Sequence, residues 1–303
     1  MLSKNTRDKT QLFTKREWVE LIHPDHPVVD FTLEHKGSEL QAVFVENRTL
    51  FGNILLAPRF TPFNISVTHH MDRPEGYNAF EKEIRLLEEL HRQTRKYKYV
   101  QFKCHKDLVH VPAAHTGEAF CFYACGAWIP ANRNTEKLRE SLFRNARNHL
   151  NHAEEEGISI RNGSLAETES LFRMDPYYYG SGLTIQTLEK IIDQFTQDDQ
   201  MLFLCAEKNN ILYAVGIFFH SGDSWYMLMN LINKEQKCRS ANTALIWQGI
   251  QHALKNDCHF YFDGSMQTDI MKRFKSFDAA SYSYCYGGWY ASRFLKKLHA
   301  AWL

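Results

Sequence analysis

The chain has 303 residues, of which 44% are hydrophobic and 23% charged, and its formal net charge at pH 7 is +1. These proportions are those of an ordinary globular protein long enough for two domains, and they exclude a disordered or collagen-like chain. Near-zero net charge also excludes bulk attraction to nucleic acid or to an anionic bilayer, so any anionic partner must meet a local basic patch.

Residues 1–9 are polar, with no apolar core of a signal peptide, and no run of about 18 apolar residues occurs anywhere. The reading is a cytoplasmic protein without a membrane span, whose seven cysteines are free thiols. Thr14-Lys-Arg-Glu17 has the form of a capping box opening a short helix through Trp18 and Leu21, stopped by Pro24 and Pro27. Residues 40–46 and 50–56 read as a hairpin turning at Asn47-Arg48. Residues 78–94 carry Phe80, Ile84, Leu87 and Leu90 on one helical face, and 99–104 and 119–128 read as strands. Cys121, Tyr123 and Cys125 would share one strand face, and no second cysteine pair completes a zinc set, so no metal is expected.

The order of elements then repeats. Residues 135–156 predict one long helix, with Thr135 as N-cap, Phe143, Ala146, Leu150 and Ala153 on its buried face, and Gly157 as its stop. Ser164 and Glu167 form a second capping box, and 184–195 predict a further helix. Residues 201–207, 211–220 and 224–232 read as a meander, 242–256 as a helix and 259–263 as a strand. Hairpin, helix and strand thus occur twice, which predicts an α+β chain of two tandem domains, 1–130 and 131–303, each a mixed sheet flanked by helices.

The chemistry-bearing residues cluster at the end of that last strand. Phe260-Tyr-Phe-Asp263-Gly264-Ser265 is an aromatic strand stopping in a tight turn, followed by Met271-Lys-Arg-Phe274-Lys275. Asp263 is a proton acceptor or an Asx-turn cap, and both readings stand. Arg144 and Arg147 lie three apart on one helical stripe, suited to a carboxylate or phosphate, or to plain solvation beside Glu154–Glu156. Tyr177-Tyr178-Tyr179 between two helices could floor a pocket or pack structurally. Residues 289–303 form a basic amphipathic tail suited to packing on its own domain, or to lipid or RNA.

Asp263-Gly264-Ser265 with Phe274-Lys275, preceded by Arg144-x-x-Arg147-x5-Ala153-x3-Gly157, resembles the FemAB-like branch of the GNAT acyltransferases. The resemblance covers most of residues 120–286 and implies two tandem GNAT-like domains in a bacterial-type N-acyltransferase. It implies direct attack of an amine on an activated carbonyl supplied by acyl-CoA or aminoacyl-tRNA, with no tightly bound cofactor. Asp263 and Lys275 would be catalytic, and Arg144, Arg147, Tyr179, Ser265 and Phe274 would bind substrate. Arg239-Ser-Ala-Asn242-Thr243-Ala244 occupies the place of the family's phosphate-cradling loop, with Asn242 where glycine is expected, whose Cβ would weaken CoA binding. Asp278-Ala279 likewise replaces the family's glycines after the motif. The acceptor would be the amine of a small molecule, peptide or sugar, with tRNA as a further partner. A catalytically degenerate scaffold, acting as a binding or assembly module, is the alternative.

Overall fold

The computed structural model describes residues 11–69, 77–108, 119–175, 183–196, 200–262, 267–292 and 294–296. They divide into two compact units, the first made of Gln11–Ala124 with Ser283–Leu303, the second containing Cys125–Tyr282. The chain passes from the first unit to the second between residues 124 and 125 and returns between residues 282 and 283.

In the first unit a 3-10 turn, Leu12–Thr14, precedes α1 (Arg16–Ile22). The Thr14 hydroxyl lies 3.0 Å from both Gln11 O and Gln41 Oε1, sharing its one proton between them; Thr14 itself belongs to the 3-10 turn, and the helix starts beyond it at an N-cap, Lys15, without a side-chain bond. The strands β1 (Val28–His35), β2 (Ser38–Thr49), β3 (Gly52–Leu56) and β4 (Ile65–His69) follow, then α2 (Tyr77–Thr94) and β5 (Tyr99–Lys103). The β2–β3 turn is Leu50-Phe51, not Asn47-Arg48, which instead pair with Ile54 and Asn53. Gly52, at φ +118°, takes the backbone conformation that closes the hairpin there. β3 and β5 run parallel, with α2 among the elements that cross between them. α2 buries Leu86, Leu87 and Leu90 on a core that includes Leu40, Phe44, Val100 and Trp289, whereas Phe80 is exposed.

Two strands serve both units, β6 (Ala119–Ile129) and β12 (Ala280–Tyr290). Within the first unit β12 pairs antiparallel with β5 over Tyr286–Tyr290, and Cys121 of β6 is joined by a disulfide to Cys285 of β12, Cα–Cα 6.5 Å. The expectation of seven free thiols is corrected for this pair; Cys104, Cys125, Cys205, Cys238 and Cys258 are free.

The second unit continues with α3 (Thr135–Ser141), α4 (Arg144–Glu155), β7 (Ser159–Asn162), α5 (Leu165–Met174) and α6 (Ile185–Thr196). The meander β8 (Met201–Lys208), β9 (Ile211–Ser221) and β10 (Ser224–Ile232) leads into α7 (Arg239–Lys255), β11 (His259–Tyr261) and α8 (Thr268–Lys275). Its strand order is β12-β6-β11-β10-β9-β8-β7, with β10 and β11 parallel and the pairs β6–β11, β10–β9, β9–β8 and β8–β7 antiparallel. The predicted helix over 135–156 is two helices. Asn134, not Thr135, caps the first by accepting from Lys137 N–H at 3.0 Å. The chain bends at Leu142-Phe143, where Phe143 N–H donates to Ser276 O and the Phe143 ring is left exposed instead of buried. Gly157 ends the helical stretch at φ +67°, as its place in the sequence requires.

Candidate functional site

The second unit's parallel pair, β10 with β11, is short among the described residues. β10 bonds to β9 along nearly its whole length, with an irregularity between Met227 and Met229. On its other side it bonds to β11 only through Ser224–Tyr226. Beyond Tyr226 this edge of β10 has no strand partner among the described residues. A strand edge left open beside a helix start offers backbone N–H groups to a ligand carbonyl. α7 is pressed onto the sheet behind this opening, close enough that a Cβ on Gly216 would stand 2.5 Å from Leu245 Cδ2. Asn242, 3% exposed, accepts from Asn230 Nδ2 at 2.8 Å and so fastens the helix to the parted segment of β10.

β11 leads through residues 263–266 into α8. One side of α8 lines a groove of about 560 Å³, together with Cys125, Phe143 and Asn145. Thr268, Met271, Lys272 and Lys275 face it, so its walls are apolar and its charged groups are lysines. The Lys275 ammonium donates to Ala279 O at 2.7 Å, which holds the side chain beside the loop that follows. That loop keeps a glycine-like turn despite its sequence. Asp278 adopts φ +57°, a conformation aspartate tolerates better than most residues, and its Oδ2 accepts from Arg133 Nη2 at 2.5 Å. The Arg133 guanidinium holds the Asp278 carboxyl below the usual range, with the Lys275 charge a smaller cause.

The remaining sequence-predicted residues scatter. Asp263, Ser265 and Tyr179 lie outside the described residues. Phe274 is 6% exposed and stacks on Phe262 with centroids 4.8 Å apart, anchoring α8 to the core. Arg144 is exposed at the first position of α4, and Arg147 donates to Leu142 O at 3.2 Å, bracing the bend between α3 and α4. Arg239, Asn242 and Thr243 lie inside α7 and form no loop before it. Thr243 donates to Arg239 O and Asn242 is bonded to Asn230, so neither side chain is free for a phosphate. The crowding expected from an Asn242 Cβ therefore does not arise, since the helix starts three residues earlier, with Cys238 as its N-cap.

Residues that sequence reasoning passed over stand out instead. Lys272, read as solvated, is indeed 75% exposed, and it stands at the rim of the groove that Lys275 also lines. Arg273, between them, faces away: its Nη2 atom is shut off from water and bonded to nothing, and burial pushes its guanidinium down to about 10. His149 of α4 lies 3.4 Å, Nδ1 to Oγ, from Ser240 in the first turn of α7. Its pKa is lowered, first by burial and then by the charges of Arg239, His152 and Arg273. The helical offset between residues 272 and 273 was the available signal, because neighbours in a helix point about 100° apart.

No protein-family profile matches the sequence, and no curated protein matches it. Solved structures do. The crystal structure of FemX superposes with a TM-score of 0.63 at 12% identity, covering 89% of this chain and 90% of that one. The chain has the FemX fold. A conserved protein of unknown function from Bacteroides thetaiotaomicron shares it, with a TM-score of 0.60 at 8% identity over 93% of this chain and 92% of that one. The fold implied by the resemblance carried by Asp263-Gly264-Ser265 and Phe274-Lys275 is thus met in the likeness to FemX. Among the described residues no helix is long and apolar enough to cross a membrane, and no group of three or more His, Cys, Asp or Glu side chains could hold a metal ion.

Proposed function

We propose that the protein is an N-acyltransferase that moves an acyl or aminoacyl group from acyl-CoA or aminoacyl-tRNA to an amine of a small molecule, peptide or sugar. The observation that carries this reading is the parting of β10 from β11 beside the start of α7, in a chain with the FemX fold. The donor carbonyl would lie along the open edge of β10, its developing oxyanion met by backbone N–H groups. A neutral acceptor amine attacks it directly. The new C–N bond forms as the C–O or C–S bond to the donor breaks, and the amine's surplus proton leaves, finally replacing the acyl group on the departing oxygen or sulfur. Lys275 would serve the donor's anionic part, Arg147 the acceptor's, and Asp263 the proton or its carrier.

The test is a thermal-shift series with acetyl-CoA, longer acyl-CoAs and aminoacyl-tRNA, followed by transfer of labelled acyl group to a panel of amines. A ligand bound only by the native state raises the melting temperature. One donor class is expected to do so and to be consumed. No shift and no transfer with any donor would replace this reading with that of a binding scaffold.

A further inference from the structure

The groove beside α8 has apolar walls of which the proposed chemistry uses one side chain only, Lys275. Its volume of about 560 Å³ is that of a site for a small molecule. Phe143 forms part of the wall, and among the described residues of the second unit it is the one large apolar side chain left exposed, at 60%. That exposure is built into the fold. Phe143 N–H donates to Ser276 O at 3.0 Å and Phe143 O accepts from Arg147 N–H at 3.1 Å, so the bend between α3 and α4 fixes the backbone that presents the ring. Met271 of α8 reaches the groove from a half-buried position against the core, and the exposed Cys125 of β6 completes its apolar lining.

The charged groups of the groove have one sign. Lys275 and Lys272 line it, and no aspartate or glutamate does. The neighbouring carboxylates are engaged or solvated. Asp278 is bonded to Arg133, and Asp269 meets Lys272 at 3.8 Å in a pair whose side chains are 97% and 75% exposed, which contributes little. The Lys275 ammonium uses one of its three N–H groups on Ala279 O, which steadies it and leaves two donors. α4 also opens on the groove, through Asn145 in its first turn. That turn has no acidic residue, and the N-cap makes no side-chain bond, so the helix dipole adds to the positive sign.

We infer that this groove binds an amphiphilic carboxylate, a free aliphatic acid, with its chain along Phe143, Met271 and Cys125 and its head on the Lys275 ammonium, Lys272 closing the rim. Chain and walls leave water together, which favours the bound state. One steadied ammonium matches a single negative charge, and a charge-assisted bond to it outweighs a neutral one. The thioether of Met271 adapts to a flexible chain better than a branched side chain would. An inorganic anion would leave the walls in water, and a neutral alcohol would leave Lys275 without a counter-charge. The site stands on the groove itself. One corollary rests on the acyl-transfer reading: the bound acid competes with the donor, whose anionic part that reading assigns to the same Lys275.

The experiment measures equilibrium binding of butyrate, octanoate and dodecanoate to the full chain, below their micelle-forming concentrations. Octanol, octylammonium and inorganic phosphate are the controls. Affinity is expected to rise with chain length, and octanoate to bind more tightly than each control. Phe143→Ala should flatten the dependence on chain length. Lys272→Gln combined with Lys275→Gln should weaken octanoate about tenfold and leave octanol unchanged. A second readout needs no variant: in wild type, bound octanoate should slow alkylation of Cys125 by iodoacetamide severalfold, followed by mass spectrometry, without slowing that of Cys238. Octanoate binding no tighter than octanol, octylammonium or phosphate overturns the site, as do variants that bind it like wild type or Cys125 alkylation that it does not slow. Octanoate binding that the variants lose upholds the site even if no donor is ever consumed. Acyl transfer without octanoate binding removes the site and leaves the transfer reading standing. Where transfer is found, inhibition by octanoate that excess donor does not relieve overturns the corollary alone.

Discussion

Two arginines of the second unit, Arg161 on β7 and Arg273 on α8, show opposite uses of the same side chain. Arg161 bonds to Glu167 and, at 2.6 Å, to Glu207, and these carboxylates raise its pKa further above its already high value. In turn Arg161 draws Glu167 down to about 2, and Glu167 accepts from Ser164 N–H at 3.0 Å, closing the start of α5. Every charge there is answered, and the result is a clamp between β7, β8 and α5. Along α8, by contrast, the described residues give Lys272 only an exposed ion pair with Asp269 at 3.8 Å, give Lys275 only a weak influence on Asp278, and give Arg273 no ion pair. Matched charge holds an element in place. Surplus charge, when partly or wholly desolvated, is available to a ligand.

If that contrast is right, the largest effect belongs to the unmatched side. Lys275→Ala is expected to lower acyl transfer about a hundredfold, or ~3 kcal/mol in the barrier, with little change in melting temperature. Rates at saturating donor check it, and a rate within twofold of wild type would remove Lys275 from the chemistry. Because Lys272 lines the same groove, Lys272→Ala should cost severalfold where a solvated lysine would cost nothing.

The first unit provides a second desolvated base that sharpens the comparison. Burial lowers His23 to about 4, with the charges of His26 and Arg59 adding to it, while its Nε2 accepts from Arg59 N–H at 3.1 Å. Unlike Arg273, it can give up its proton. Its folded-state pKa lies below the unfolded value near 6.5, so the unfolded chain binds more protons between these limits, and stability falls as pH drops through 6.5 toward 4. By pH 5 the loss should reach about 2 kcal/mol, absent in His23→Gln, by denaturant titration at each pH.

On the matched side the effects are smaller and confined to stability. Arg161→Met should destabilise by about 1–2 kcal/mol without slowing transfer, since the three partners are partly solvated and the pair energy is screened. A rate loss matching that of Lys275→Ala would break the distinction. Glu167 has its pKa depressed below the unfolded value, so its contribution is present above about 4.5 and disappears as pH falls toward 2. Glu167→Gln should remove about 1 kcal/mol at pH 7 and flatten the profile in that acid window.

Much of the local structure follows from the sequence alone. Apolar spacing marks α2 and α7, alternation marks the meander β8–β10, and Gly157 ends α4 because a left-handed residue is needed there. The repeated hairpin–helix–strand order contains the tandem fold. These features are local, written in periodicity and turn chemistry. Tertiary structure decided the rest, because it depends on partners far apart in the chain. Phe143 N–H reaches Ser276 O and splits the predicted long helix, and Cys121 meets Cys285 across 164 residues. Asn242 is turned from a loop position into a buried bond to Asn230. Lys272-Arg273-Phe274-Lys275 reads as an evenly basic stretch until Phe274 packs on Phe262 and sets the rotation of α8. That single rotation sends the two lysines to the groove and leaves Arg273 Nη2 out of reach of water, a sorting that no spacing of charges in the sequence could specify.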